Sequence, residues 1–150
     1  MIVVGVDGST SSRDAIRWAV EEARVRKTGV RAVYAWQLPI VTGFAYIPPD
    51  VLDPAELQRR ANQVVTAAVD EAVGARNGVE VQAVAVEGIA AETLVKESTG
   101  ADMLVVGSRG RGGFSGLLLG SVGQQCVHHA ACPVVIVRPA ADVNEERSES

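Results

Sequence analysis

Five short, valine-rich apolar runs alternate along the chain with stretches of helical periodicity, and this alternation restricts the fold more than any other feature. MIVVGVD (1–7) places Ile2, Val3, Val4 and Val6 in near-continuous series, as expected of a strand covered on both faces. In DGSTSSRDAIRWAVEEARVRKTG (7–29) the serines offer N-caps, and Ala15, Ile16, Ala19, Val20 and Ala23 recur at helical spacing. Arg26 and Lys27 suit the last turn, with Gly29 as the stop. VRAVYAW (30–36), VEVQAVAVE (79–87), ADMLVVGS (101–108) and PVVIVRP (133–139) read as four further strands. Helices are predicted from Asp53-Pro54-Ala55-Glu56 to about Gly74, from Ala90 to Ser98, and from Ser121 onward. The result is one α/β domain around a mainly parallel, doubly wound sheet. Ligands in such sheets sit beyond the carboxyl ends of the strands, where the winding direction reverses.

Bulk properties narrow the function classes. The chain has 150 residues, 47% apolar and 21% charged, enough for one domain with a real core and outside the range of disorder. No apolar run reaches bilayer length, so no membrane span is expected. The start lacks a secretory pattern, and Cys126 and Cys132 do not form a disulfide framework, so a reducing cytoplasm is the expected setting. A net charge of −4 gives general nucleic-acid affinity no support, although Arg109 and Arg111 offer a local basic patch. The acidic tail (140–150) is expected to fray. The connection over 37–53, with Pro39, Gly43, Pro48 and Pro49, is long enough to be a binding loop or lid.

The densest chemical signal is GSRGRGGFSGLLLGS (107–121). It is not G-x-G-x-x-G, because Ser115 stands where the third glycine belongs, and no lysine follows to make a Walker loop. What remains is Gly107-x-x-Gly110, nine residues, then Gly120-Ser121. Gly107 would let the backbone approach a base or sugar without a Cβ in the way, and Gly110 would let successive N–H groups form an anion nest. Gly120-Ser121 opens a helix whose first N–H groups carry partial positive charge, so a phosphate there would be held by backbone donors and the Ser121 hydroxyl. Arg109 and Arg111 either add charge or are simply solvated. Asp7, after the first strand, could accept from a ribose hydroxyl or hold a divalent ion through water; the competing role is a turn or cap acid.

VGVDGS near the start, the Gly107-x-x-Gly110-nine-residue-Gly120-Ser121 pattern and the closing CPVVIVRP together resemble the universal stress protein family, over about residues 1–139. The resemblance implies a five-stranded parallel sheet in the order 3-2-1-4-5, of the Rossmann-like adenine nucleotide α-hydrolase-like type. It implies ATP binding, with Mg, by Asp7, Gly8, Ser9, Ala35, Val106, Gly107, Ser108, Arg109, Gly110, Gly120, Ser121 and Val122, Asp7 being the residue nearest a metal. It also implies a homodimer paired through the strand Val134 to Val137, an apolar sheet edge that invites pairing in any case.

Other features carry less. His128 and His129 are adjacent on a helix and cannot easily share a metal; near the C-terminus they suit the dipole. Cys126 and Cys132 lack the spacing of a redox or zinc pair and read as buried small hydrophobes. Gly116-Leu-Leu-Leu-Gly120 has no membrane-length frame around it. Trp18 and Trp36 read as packing residues, with Trp36 near the adenine pocket, and Tyr46 and Phe44 as lid residues or anchors. No catalytic motif is present. The leading reading is therefore an ATP-dependent regulatory switch or adaptor acting on a protein partner the sequence does not identify. A slow Mg-dependent ATPase is the second. A nucleotide-independent or cyclic-AMP-binding interaction module is the third.

Overall fold

The computed structural model describes residues 1–39, 43, 46–74, 78–110 and 119–139. Arg111, Gly112, Gly113, Phe44, Gly116 and the tail 140–150, all within stretches singled out from the sequence, lie outside these. The strands are β1 (Ile2–Val6), β2 (Val30–Trp36), β3 (Val81–Glu87), β4 (Met103–Gly107) and β5 (Val134–Val137). The helices are α1 (Thr10–Arg26), α2 (Pro54–Val73), α3 (Ala90–Glu97) and α4 (Ser121–His129). All pairings are parallel, in the order β3-β2-β1-β4-β5. This is the doubly wound sheet that the alternation predicts. Its direction of winding reverses between β1 and β4.

Strand periodicity divides the core into two layers. Ile2, Val4 and Val6 of β1 join Val105 of β4 and the apolar stripes of α1 and α2, including Ile16, Val20 and Val65. Val3 joins Val33, Leu104 and Val106 with Leu94 of α3 and Cys126 of α4. Every β1 residue is buried, because helices cover it from both sides. Burial, with the Cys132 thiol nearby, pushes the Cys126 thiol pKa upward; it behaves as the buried hydrophobe its sequence context suggests.

The helix ends follow local chemistry, with two departures from the sequence reading. Ser9 caps α1 by accepting from the Ser12 N–H. The helix closes not at Gly29 but at Lys27, which takes the left-handed conformation (φ 56°, ψ 46°) and donates its N–H to the carbonyls of Ala23 and Arg24. Gly29 serves β1 instead, its carbonyl accepting from the Ile2 N–H at 2.9 Å. Asp53 caps α2 through the Ala55 N–H, with proline in the first turn as expected. Glu56 does not complete a capping box; its carboxylate pairs with Arg59 and Arg60 one turn on. Within the long connection, where the sequence predicts no regular element, Pro49–Leu52 forms a short 3-10 turn. No helix among the described residues is long and apolar enough to cross a membrane.

Candidate functional site

The reversal of winding places two loop starts side by side. Beyond β1 the chain turns at Asp7-Gly8-Ser9; beyond β4 it enters Gly107–Gly110. The first turn is built from local hydrogen bonds. Gly8 has φ 80°, a conformation glycine adopts without strain. The Ser9 N–H donates to Asp7 Oδ1 at 2.9 Å, and the Asp7 N–H donates to Ser12 Oγ at 3.4 Å. Asp7 is thus a turn acid as well as a candidate ligand: Oδ1 orders the turn, while a Cβ placed on Gly110 would meet Oδ2 at 2.9 Å. The missing side chain at Gly110 is what lets the two loops approach.

Between these loops and the two helices of one face lies a cavity of about 300 Å³, lined by Gly5, Asp7, Leu94, Val106, Gly110 and Ser121 among others. Gly5 makes room at its floor: a Cβ there would come within 2.8 Å of Leu94 Cδ1 and 3.3 Å of Val106 Cγ1. The floor is apolar and the rim polar, an arrangement suited to a ligand with one flat apolar end and one anionic end.

The amino end of α4 forms the far wall. Its cap residue Gly120 donates its N–H to the Ser108 carbonyl at 2.8 Å, and the helix's first internal bond runs from the Gln124 N–H to the Gly120 carbonyl at 3.0 Å. The N–H groups of Ser121, Val122 and Gly123 lie ahead of that first bond, and all three residues line the cavity. This is the unpaired, partially positive end at which anions bind. Gly123 has a packing reason: a Cβ there would meet Leu119 Cδ1 at 2.6 Å. The missing side chain lets Leu119 lie against α4 and anchor the end of the glycine-rich stretch.

Of the candidate residues, Asp7, Val106, Gly107, Arg109, Gly110, Gly120, Ser121 and Val122 line this one cavity. Gly8 and Ser9 shape the turn that presents Asp7. Ser108 is 2% exposed and acts through its backbone: its N–H donates to the Val137 carbonyl at 2.9 Å while its carbonyl holds Gly120. Ala35 is not in the lining; it sits on β2 two residues past Val33, on the cavity's side of the sheet but one strand further out. Trp36 is not beside the cavity. It belongs to the opposite layer, where its indole N–H donates to Gln58 Oε1 at 2.8 Å. Tyr46 is exposed.

Gly107 has a different reason from the one its position suggested. A Cβ on it would lie 2.8 Å from the carbonyl carbon and oxygen of Ser11 and would collide with Ser11 Oγ. The absent side chain admits the first turn of α1, not a ligand. The sequence reading also passed over Gly5, Ser12, Leu94, Ala90 and Gly123. A glycine inside the otherwise aliphatic strand Ile2–Val6 was the one available signal, since a strand loses packing there unless a close neighbour fills the space. Among the described residues no group of three or more His, Cys, Asp or Glu side chains could hold a metal ion.

This fold, with its cavity where the winding reverses, is that of the universal stress proteins. The model of that family matches residues 1–138, and the chain belongs to it. Universal stress protein Rv2623 of Mycobacterium tuberculosis is 36% identical over 137 residues, covering 91% of this chain and 44% of its own length. The chain thus spans about half the length of the curated relatives it matches. A universal stress protein crystallised in complex with cAMP superposes with a TM-score of 0.68 at 25% identity, over 91% of this chain and 94% of its own. A family member from Arabidopsis thaliana with AMP bound gives 0.60 at 22% identity, over 94% and 92%.

Proposed function

We propose that the chain binds an adenine nucleotide in the cavity between β1, β4, α3 and α4 and works as a nucleotide-responsive regulatory protein rather than an efficient catalyst. The observation that carries this is the convergence of Asp7, Gly110 and the amino end of α4 on one cavity with an apolar floor. In this reading the base lies on the Gly5, Leu94 and Val106 side. The ribose reaches Asp7, and the phosphates meet the backbone N–H groups of Gly110, Ser121 and Val122, with Arg109 at the rim. Gly8, Ser9 and Ser108 hold these groups in place; Ala35 contributes only if the base extends toward β2. The universal stress protein crystallised with cAMP supports the nucleotide class.

ATP is the specific nucleotide proposed. Mg fits only as part of a metal–nucleotide complex, because Asp7 is a single carboxylate with one oxygen committed to the Ser9 N–H. The ion would neutralise phosphate charge. Dimerisation through Val134–Val137 belongs to the same proposal. The carbonyls of Pro133 and Val137 point to β4, so by strand alternation those of Val134 and Ile136 face away from it, toward the sheet's edge. The cAMP-bound relative favours cyclic AMP as the second reading of the ligand.

Mass spectrometry of small molecules released on denaturing the purified protein tests the proposal, followed by calorimetric titration with ATP, AMP and cyclic AMP. Recovery or tight binding of any of the three supports the class, and their ranking decides the nucleotide. Protein that carries none and binds none overturns it. Intact ATP after long incubation separates a switch from a slow ATPase.

A further inference from the structure

We infer that Ser11, in the first turn of α1, is a positioning residue that sets the separation between the Asp7 and Gly107–Gly110 walls of the cavity. Its functional consequence rests on the nucleotide reading above. Ser11 does not line the cavity and is only 6% exposed, yet it lies between the two loops that do. On one side, its own helical turn is fastened to Asp7: Ser12 Oγ accepts from the Asp7 N–H, and Asp7 Oδ1 accepts from the Ser9 N–H. Through the Ser9 cap and these bonds, α1 and the Asp7 turn form one unit.

On the other side, Ser11 meets the end of β4 in two ways. Gly107 packs on its main chain so closely that no Cβ would fit. Two residues later, the Arg109 N–H donates to Ser11 Oγ at 3.4 Å. The steric contact fixes how near the loops come, and the hydrogen bond fixes the direction in which the second loop departs. The bond is long and therefore soft, and it commits the Arg109 N–H to α1, so the first N–H of the loop beyond it is that of Gly110. A small hydroxyl at position 11 thus acts on the ligand through the backbone of Arg109 and Gly110, without touching it.

The test compares wild type, Ser11→Ala and Ser11→Thr. Three quantities are measured: calorimetric affinity for ATP, AMP and cyclic AMP, the melting midpoint without nucleotide, and amide hydrogen exchange. Ser11→Ala should weaken the tightest of these nucleotides about three- to ten-fold, the size of one soft hydrogen bond. Its melting midpoint should stay near wild type. The Arg109 amide should exchange faster in Ser11→Ala while the Gly120 amide, bonded to Ser108, is unchanged, and Ser11→Thr should restore Arg109 protection. Wild-type affinity together with wild-type Arg109 exchange in Ser11→Ala would overturn the inference. So would faster exchange spread evenly through α1, which marks a general helix defect. If wild type binds none of the three nucleotides, the nucleotide reading falls by itself, and the Arg109 amide then decides the role of Ser11: lost protection keeps it, unchanged protection removes it.

Discussion

Glycines at 107, 110 and 120 look equivalent in the sequence, and their surroundings separate them. A Cβ at Gly120 would sit 3.6 Å from the Gly110 nitrogen and the Ser108 oxygen, ordinary contact distances. A Cβ at Gly107 would run into the main chain of Ser11. Gly120→Glu should therefore leave the melting midpoint within a few degrees of wild type. It should also remove nucleotide binding in calorimetry, since a carboxylate would stand at the helix end proposed to meet the phosphates. Gly107→Ala should instead lower stability by roughly 1–3 kcal/mol, the usual cost of overpacking, read from urea unfolding midpoints. Bulk at Gly107 thus meets main chain, whereas bulk at Gly120 starts from ordinary contact distances. Spacing marked all three residues as special; only the approach of α1 shows that Gly107 is packed against main chain.

At the scale of elements, α2 illustrates how a local signal can be right in kind and different in partner. Asp53 and Pro54 start the helix as their types dictate. Glu56 is held by Arg59 first and Arg60 second, which lowers its pKa from 4.5 to about 2. Because the folded value lies below the unfolded one, the contribution is present above the unfolded pKa and is lost as pH falls from about 4.5 to about 2. An NMR titration of the Glu56 carboxyl should show a midpoint below 4.5, and Arg59→Gln should move it upward more than Arg60→Gln does. Both arginines are exposed and Glu56 is partly so, and Glu56→Gln at pH 7 should change the melting midpoint little. The end of α1 is a similar case. Glycine is the usual left-handed stop, but Lys27 takes that conformation two residues earlier, and the Gly29 carbonyl bonds to β1.

For the whole molecule, the testable consequence of the proposed pairing through β5, the last strand in the sheet order, is self-association. Sedimentation should give twice the monomer mass at micromolar concentration, and Val134→Lys should return it to monomer by placing a charge on that edge. The order of elements and the burial of β1 were legible from residue patterns alone, because strand and helix periods are local properties of the chain. The same holds for the crevice beyond the strands' carboxyl ends: parallel crossovers have one favoured hand, and the resemblance supplied the strand order. Asp7, Gly110 and Ser121 could be picked out for the same reason, each standing at the end of a readable element. Tertiary structure decided the rest. It placed Trp36 on the layer opposite the cavity, kept Ala35 out of the lining, opened the floor at Gly5 and set Ser11 against Gly107. Each of these depends on which side chains from distant segments meet across the sheet, and contacts of that kind have no period or spacing along the chain from which they could be read.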